Sequence, residues 1–453
     1  MTVRLAPPPA PAAPPPPGAD GRRRRTGVVL AAILLVCLLG RAAFVLHLAG
    51  NGVEGDTHSY VRPARALVED GRYDHRPGHD EPEYLRTPGY PAVIAAVFAV
   101  SDESTTAVLL LQVGLSTLTV LLVYLLAARM WSTTVGLVAA ALTVLEPLQS
   151  YTAGSLATEC VNTLLLLLVC AAGFAALRDT RSHLRWFVLL GLALAAATMV
   201  RPVTYYLPVF VVVLLLVRAA RGTVSWSRCA RMLAAFLVPL VVIVGGWQVR
   251  NYERAGSWRL SGVEGKNLMY FRAAGILAER DGITLAAAQA RLGYRPIPPN
   301  TPEPGAYYDR MYRRGLEVVL AHPVTALRLT GEDLANELTS VRYDAFEYFG
   351  LAPATGVVAA SALALLLAFE ALAIYGFVLA VRSRREVLAH VFVAGVAIYV
   401  LVASAGPEAM GARGERFRAP VVPILVLYAA YGATSLVRRL ARSPATPDLR
   451  IGT

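Results

Sequence analysis

Runs of about twenty apolar residues recur along this chain, and this pattern restricts the fold more than any other feature of the sequence. Twenty residues of α-helix are long enough to cross the hydrocarbon core of a bilayer. The apolar residues are consecutive rather than alternating, which favours helices over a membrane barrel. Hydrophobic residues make up 56% of the 453 and charged residues only 16%, whereas a soluble domain carries roughly a quarter charged residues. We therefore predict an all-α polytopic membrane protein.

The apolar runs predict about ten transmembrane helices. The second run has a polar break at Ser101-Asp102-Glu103-Ser104, which indicates a short membrane-dipping helix after Pro91 followed by a full span over 105–128. The predicted spans lie at roughly 27–48, 91–128, 134–150, 156–177, 186–200, 203–217, 232–248, 354–381, 387–405 and 419–437.

The composition divides the chain into a membrane domain and two polar ends. Residues 1–26 are Pro/Ala-rich and predict a disordered cytoplasmic tail. Residues 27–438 form the transmembrane domain, with outer loops at 50–90 and 250–352, and residues 439–453 form a second cytoplasmic tail. The first apolar run is too long for the core of a cleaved signal peptide and lacks a small-x-small cleavage site, so we expect a retained helix.

The charge distribution argues for a membrane and against nucleic acid. The net charge is +12, but the basic residues gather in short clusters between apolar runs, as the positive-inside rule expects. Ten spans with both termini inside place every dense arginine cluster on the cytoplasmic side except Arg413, Arg416 and Arg418. The four cysteines lie within or beside apolar runs without metal-binding spacing, so we expect buried free thiols.

Between the first two spans lies a short polar loop that begins with Glu54-Gly55-Asp56-Thr57 and ends with Tyr84-Leu85-Arg86-Thr87-Pro88-Gly89-Tyr90-Pro91. Within it, the apolar residues of segment 61–68 fall on one helical face and the charged residues on the other. This pattern predicts a short helix in the membrane interface. A second helix is predicted at 323–339 in the later outer loop, since proline is favoured at the first helical position.

Four arginines fall at the outer ends of predicted spans, where the positive-inside rule does not require them. They are Arg86, Arg201, Arg250 and Arg416. A guanidinium fork suits phosphate oxygens, so these residues are candidates to bind an anionic ligand. The alternative is that they snorkel to lipid headgroups and anchor the helices.

Three carboxylates, Asp56, Glu146 and Glu159, map to the same outer surface. Charged residues at this depth are costly and are often functional, and a carboxylate can deprotonate an acceptor beside an arginine-bound phosphate. Structural alternatives remain: Asp56 suits a turn, and Glu146 before Pro147 suits a kink.

Three histidines of the first outer loop raise the question of a metal. His58, His75 and His79 could join Asp56, Asp80 or Glu83, but their spacing matches no known metal motif. We therefore assign no metal residues.

Four motifs at outer span ends, taken in order, carry a family resemblance. They are Gly55-Asp56 with Tyr60; Arg86-Thr87-Pro88-Gly89-Tyr90-Pro91; Arg250-Asn251-Tyr252 with Gly256 and Gly265-Lys266-Asn267-Leu268; and Arg416-Phe417-Arg418-Ala419-Pro420-Val421-Val422-Pro423. Thr158-Glu159 and Arg201-Pro202 are weaker additions. On these residues, nearly the whole chain beyond residue 26 resembles the GT-C glycosyltransferases that use polyprenyl-phosphate sugars. Within them it is most similar to the branch of bacterial protein-mannosyltransferase-like and lipid A aminoarabinose-transferase-like enzymes.

The resemblance implies a transfer on the outer leaflet from a polyprenyl-phosphate-linked sugar to an extracytoplasmic acceptor, with inversion at the anomeric carbon. It implies Asp56 as the catalytic base or acceptor-orienting carboxylate and Glu159 as a second acid in the site. Donor phosphate would be held by Arg86, Arg201, Arg250 and Arg416, and substrate contacts would come from Tyr60, Tyr90, Asn251 and Asn267.

The chain departs from some family members in two places. Thr57 follows Asp56 where some members have a second acid, and Leu85-Arg86 stands where some have a Glu-Lys pair. No cofactor is therefore assigned, and the question whether the site binds a divalent cation is left open.

Other functions are compatible with ten spans. A transporter or lipid-linked-sugar flippase would place polar residues at mid-membrane and show repeated halves, and neither feature is evident. A structural partner in a cell-envelope complex is the third alternative. The Arg-rich, Ala/Val-heavy composition is typical of a GC-rich bacterial genome.

Overall fold

A computed structural model of the chain describes residues 19–48, 57–179, 183–293, 304–341, 356–406 and 415–442. Asp56, most of the predicted Pro-rich segment at 295–305, Arg413 and most of both predicted tails lie outside the described residues.

The described residues form twenty α-helices. In chain order these are α1 Ala19–Leu48, α2 His58–Glu69, α3 Gly89–Ser101, α4 Thr105–Met130, α5 Thr133–Leu145, α6 Pro147–Ala153, α7 Glu159–Leu177, α8 Leu184–Val200, α9 Leu207–Ala220, α10 Trp226–Leu240, α11 Gly246–Ala255, α12 Val263–Lys266, α13 Ala274–Asp281, α14 Leu285–Leu292, α15 Pro304–Ala321, α16 Pro323–Thr339, α17 Gly356–Arg382, α18 Val387–Ser404, α19 Glu415–Arg418 and α20 Val422–Leu440. Two π-helical segments, Val241–Gly245 and Asn267–Ala273, join α10 to α11 and α12 to α13. Apart from one antiparallel bridge between Asp74 and Pro82, these residues contain no β-structure.

The predicted all-α membrane fold is confirmed. Among the described residues, eight helical segments are long and apolar enough to cross a membrane. The third and fifth predicted spans correspond to the shorter apolar helices α5 and α8, so each of the ten predicted spans is represented by an apolar helix. Helix α1 begins at Ala19, inside the predicted disordered tail, because arginine is a good helix former and the Arg22–Arg25 run continues directly into the apolar helix.

The polar break in the second apolar run separates α3 from α4, as predicted. Asp102 and Glu103 both have positive φ, at 49° and 57°, which ends the first helix. Ser104 then caps α4, since its hydroxyl accepts a hydrogen bond from the Ala107 amide at 3.2 Å. Glu146 interrupts the third predicted span in the same way, because its carboxylate accepts from the Gln149 amide at 3.0 Å and Pro147 starts α6. This is the structural role that the sequence left open for Glu146.

Helix α7 lies inside the helix bundle, and its first residue lines the cavity described below as the candidate active site. It packs against α4, α8 and α18, and most of its side chains are buried. A helix that is apolar on every face is expected in such an interior position. Its first residue, Glu159, is the exception, and the N-terminal end of a helix favours a carboxylate.

The two helices predicted in the outer loops are present. Helix α2 covers the amphipathic segment and buries Val61 and Ala64. Helix α16 begins at Pro323, the predicted first position. Its C-terminal carbonyls are capped by Arg418, which donates to the main-chain oxygens of Glu337 at 2.7 Å and Leu338 at 2.9 Å.

Candidate active site

A cavity of about 420 Å³, here called the first cavity, lies where the start of α7 meets the end of α8. The loop before α3, the α12–α13 segment, the end of α18 and helix α19 complete its wall. Six of the predicted site residues line it: Tyr60, Arg86, Glu159, Arg201, Asn267 and Arg416. Residues up to 356 positions apart in the sequence are thus brought to one place.

Glu159 joins two of the predicted arginines. Its Oε1 accepts a hydrogen bond from Arg201 Nη1 at 3.1 Å and another from Arg416 Nε. The Glu159 side chain is almost fully buried, and its Oε2 has no hydrogen-bond partner among the described residues. One carboxylate therefore holds two guanidinium groups side by side at the wall of the first cavity.

The position of Arg201 follows from the residue after it. Proline disfavours the helical conformation at the preceding residue. Helix α8 accordingly ends at Val200, and Arg201 is extended, with φ −143° and ψ 113°. This geometry turns the arginine away from the helix axis, and its guanidinium lies 5.5 Å from the Phe417 ring.

Arg86 approaches the first cavity from the loop between α2 and α3. Its Nε donates to Ser59 Oγ at 3.0 Å, and its guanidinium lies over the Tyr60 ring at 4.5 Å. The turn that presents it is fixed by Glu83, which is buried and accepts from the Arg86 amide at 3.0 Å and interacts with His75 Nδ1 at 2.9 Å.

Gly89 allows α3 to approach the end of α8 closely. A Cβ at this position would lie 2.6 Å from the main-chain oxygen of Met199. Close helix packing therefore explains the glycine in the Pro-Gly-Tyr part of the loop motif, because only glycine permits this contact.

Three further charged residues line the first cavity and were not assigned a role from the sequence: Glu264, Lys266 and Arg272. The Lys266 ammonium group makes no hydrogen bond or ion pair with any described residue. Arg272 donates to the main-chain oxygen of Ala405. Lys266 belongs to the Gly265-Lys266-Asn267 motif, and this motif is the sequence signal that points to Lys266.

The first cavity is cationic and amphipathic. Five cationic side chains and two carboxylates line it, together with aromatic and aliphatic residues. Burial raises the pKa of the Glu264 carboxyl, and the Arg259 guanidinium at 3.6 Å opposes that shift. A site of this kind suits a ligand that carries an anionic group beside an apolar chain.

Arg250 lies outside the first cavity and connects two parts of the protein. Its guanidinium donates to the main-chain oxygens of Glu83 at 2.8 Å and Tyr73 at 2.6 Å, and it stacks over Trp247 at 4.8 Å. These bonds attach the loop between α2 and α3 to α11. In this conformation the guanidinium is engaged by protein groups rather than directed into the first cavity.

Two other predicted residues are also part of the framework. The amide nitrogen of Asn251 donates to the main-chain oxygens of Arg259 at 3.0 Å and Leu260 at 2.9 Å, and the side chain is fully buried. Tyr90 is fully buried behind Tyr60, and its hydroxyl donates to Gln112 Oε1 at 2.9 Å. Neither lines the first cavity.

The remaining candidates concern Asp56 and metal ions. Asp56 lies just outside the described range, which resumes at Thr57, a buried residue whose hydroxyl donates to the Leu156 carbonyl at 3.4 Å. Among the described residues, no three His, Cys, Asp or Glu side chains come together in a way that could hold a metal ion. All four cysteines are free and buried, as expected.

Comparisons with known proteins relate the chain to one family over part of its length. Residues 80–247 match the family of dolichyl-phosphate-mannose-protein mannosyltransferases. A comparison with curated protein sequences gives no match.

The fold is similar to that of a solved oligosaccharyltransferase. The archaeal oligosaccharyltransferase AglB from Archaeoglobus fulgidus, in complex with an inhibitory peptide and a dolichol-phosphate, has a TM-score of 0.52 at 12% identity, over 90% of this chain and 50% of AglB. The apo form of the same enzyme gives a TM-score of 0.51 at 12% identity, over 90% and 51% of the two chains. ArnT from Cupriavidus metallidurans, bound to undecaprenyl phosphate, gives 0.39 at 14% identity, over 94% and 81%.

The chain spans about half the length of AglB. The expected resemblance is supported to this extent: the chain has a multi-pass membrane fold similar to that of AglB, and residues 80–247 match the protein-mannosyltransferase family.

Proposed function

We propose that the protein transfers a sugar from a polyprenyl-phosphate donor to an extracytoplasmic acceptor, with the first cavity as the donor site. The observation that carries this proposal is the buried Glu159 carboxylate holding Arg201 and Arg416 at the cavity wall. Arg86 and Lys266 add two more cations to the same cavity. The solved AglB structure, which holds a dolichol-phosphate, supports a lipid phosphate as the ligand class.

The charge pattern supports an active site on the outer face. The positive-inside rule places the dense arginine clusters and both termini in the cytoplasm. The first cavity lies at the opposite ends of the same helices, at the start of α7 and the end of α8. The lipid chain of the donor would lie in the bilayer while its phosphate reaches the arginines.

The chemistry follows from this arrangement. The acceptor oxygen attacks the anomeric carbon of the donor, and the bond from that carbon to the phosphate oxygen breaks. The electron pair leaves with the polyprenyl phosphate, whose developing charge is stabilised by the arginines. The acceptor proton passes to a carboxylate, which we assign to Asp56. A single displacement of this kind inverts the configuration at the anomeric carbon.

Glu159 is a poor choice for the base. Its Oε1 is already shared by two guanidinium groups, and such pairing favours the charged, weakly basic form of a carboxylate. Its role in this proposal is to hold Arg201 and Arg416 in the geometry that binds phosphate.

Binding of a polyprenyl-phosphate mannose to the purified protein in nanodiscs tests the donor site. We expect Arg201→Ala and Arg416→Ala each to weaken binding by roughly tenfold or more, since each removes a charged hydrogen bond worth about 1.5–3 kcal/mol. Arg65→Ala is the matched control, because Arg65 is exposed and pairs with Glu103 away from the cavity. Unchanged affinity in both cavity variants would remove the basis of the proposal.

Turnover with the same donor tests the base. Asp56→Asn should abolish most sugar transfer while donor binding persists, because the amide cannot accept the proton. Transfer at the rate of the unmodified protein would exclude Asp56 as the base.

A further inference from the structure

A second cavity of about 390 Å³ adjoins the first. Tyr206 and Glu264 line both cavities and form their common wall. A ligand in the second cavity would therefore lie directly beside a ligand in the first.

One side of the second cavity is aromatic and accessible. The Trp258 side chain is 56% exposed and stacks on Tyr252, with ring centroids 4.5 Å apart and planes inclined by 15°. Tyr205 and Tyr206 contribute two more rings, packed edge to face at 4.9 Å. Stacked, mutually supported rings give a rigid surface for the flat apolar face of a ligand.

The other side carries hydrogen-bonding groups held in fixed positions. Gln248 Nε2 donates to the Tyr205 hydroxyl at 3.1 Å and to the Trp258 carbonyl at 2.8 Å. Asp309 Oδ1 accepts from Ser257 Oγ at 3.0 Å and from Arg259 Nε at 2.9 Å. The remaining oxygens of these amide and carboxylate groups can accept hydrogen bonds from ligand hydroxyls.

Arg259 contacts residues that line both cavities. Its guanidinium stacks on the ring of Tyr312 at 3.5 Å from the ring centroid, and Tyr312 lines the first cavity. The same guanidinium pairs with Asp309 and Glu264, which line the second cavity. The wall is therefore a connected set of charged and aromatic contacts rather than loosely packed side chains.

We propose that the second cavity binds a carbohydrate acceptor, with Glu264 at its junction with the donor cavity. The proposal rests on the proposed function, because it names the acceptor class for the same transfer. A pyranose ring has apolar C–H faces that pack on Trp258 and Tyr206, and equatorial hydroxyls that bond to Gln248, Asp309 and Glu264. A volume near 390 Å³ lies at the small end of ligand pockets, which suits one or two sugar rings.

A peptide acceptor fits this wall less well. One common mode of peptide recognition adds an extended peptide to the unpaired backbone groups of an exposed strand, and the described residues that line the second cavity form no strand. The second cavity instead offers aromatic faces and side-chain amide and carboxylate groups. Insertion of Trp258 into the lipid interface is the other explanation for its exposure.

The test is saturation-transfer NMR of the full-length protein in nanodiscs, without donor. The probes are methyl α-mannopyranoside, an α-linked mannobiose and a Ser/Thr-containing octapeptide. We expect saturation of the glycoside ring protons, reduced at least fivefold in Trp258→Ala and in Gln248→Ala. Trp226→Ala is the matched control, since Trp226 is 61% exposed but lies at the far end of α10.

Each outcome decides between the explanations. Glycoside signals that depend on Trp258 and Gln248 support a carbohydrate acceptor. Peptide signals without glycoside signals, or glycoside signals unchanged in Trp258→Ala, overturn it, as does the absence of any probe signal. Donor binding is measured separately on the unmodified protein, so that its loss counts against the proposed function alone, whereas intact donor binding without glycoside binding counts against the carbohydrate site alone.

Discussion

Arg416 and Glu159 form an ion pair at the cavity wall although they are separated by 257 positions in the chain. Arg416 comes from the helical turn that precedes the last apolar helix, and Glu159 starts the central helix α7. The pair thus connects the last membrane segment to the middle of the bundle, and Arg201 joins it through the same carboxylate oxygen.

Replacing Glu159 should therefore affect both stability and donor use. In Glu159→Gln, two partly buried guanidinium groups lose their carboxylate, which costs about 3–5 kcal/mol for a buried pair. We expect a lower unfolding temperature and at least a tenfold lower kcat/KM for the donor. Inorganic phosphate should stabilise this variant more than the unmodified protein, because the anion replaces the lost charge.

The control for this variant is Glu386→Gln. Glu386 pairs with Arg178 at 3.0 Å, but the Glu386 side chain is 25% exposed, against 2% for Glu159, so water screens this pair more and its loss should cost less. An equal loss of stability in the two variants, with no added effect of phosphate, would contradict the role given to Glu159.

Arg250 provides a test between anchoring and ligand binding. Arg250→Lys removes the guanidinium that bonds to the carbonyls of Glu83 and Tyr73, and each buried acceptor left without a partner costs about 1–3 kcal/mol. We expect faster proteolysis of the 70–88 loop and a lower unfolding temperature. Donor affinity measured well below that temperature should change less than threefold. A large loss of donor affinity at unchanged stability would instead make Arg250 a phosphate ligand.

The buried carboxyl of Glu337 predicts a pH-dependent stability. Burial, reinforced by the neighbouring Asp333, raises the pKa of Glu337 to about 8 from 4.5. Between these two values the folded state holds a proton that the unfolded state releases, so stability falls as the pH rises.

Glu337→Gln should remove this fall in stability at higher pH, because the amide does not titrate. We expect the variant to match the unmodified protein near pH 5 and to be more stable at pH 8, by on the order of a few kcal/mol. Thermal unfolding across this range measures the difference. Glu332→Gln, an exposed position on the same helix paired with Arg328, should give a difference that does not grow with pH. A flat profile for Glu337→Gln would show that its pKa is not raised in this way.

Gly89 should tolerate no side chain. In Gly89→Ala the added Cβ would lie 2.6 Å from the Met199 carbonyl, so α3 must move away from α8. We expect a loss of about 1–3 kcal/mol of stability, as for other overpacked sites, and weaker donor binding because Arg86 precedes α3 in the same turn. Gly114→Ala is the matched control, since nothing lies within 4 Å of its Cβ position and alanine favours the helix. Similar unfolding temperatures for both variants would refute the packing argument.

The sequence by itself determined the membrane fold and the helix positions, because both follow from local properties. Uninterrupted apolar runs specify spanning helices, Ser104 and Glu146 cap the helices that follow them, and Pro323 starts α16. It also made Glu159, Arg86, Arg201 and Arg416 candidates, since a charged residue at the end of an apolar helix is conspicuous without any knowledge of its neighbours.

Only the tertiary structure decided which of these charges share a site. Arg201, Arg250 and Arg416 look alike in sequence, at the end of an apolar run. Arg201 and Arg416 share one buried carboxylate, whereas Arg250 bonds to main-chain carbonyls of the loop between α2 and α3. The contribution of Lys266 and Glu264 was likewise hidden, because the path of the chain between helices, rather than any local pattern, brings them to the cavity. Partners that are distant in sequence are set by packing of the whole bundle, and no local property of the residues encodes them.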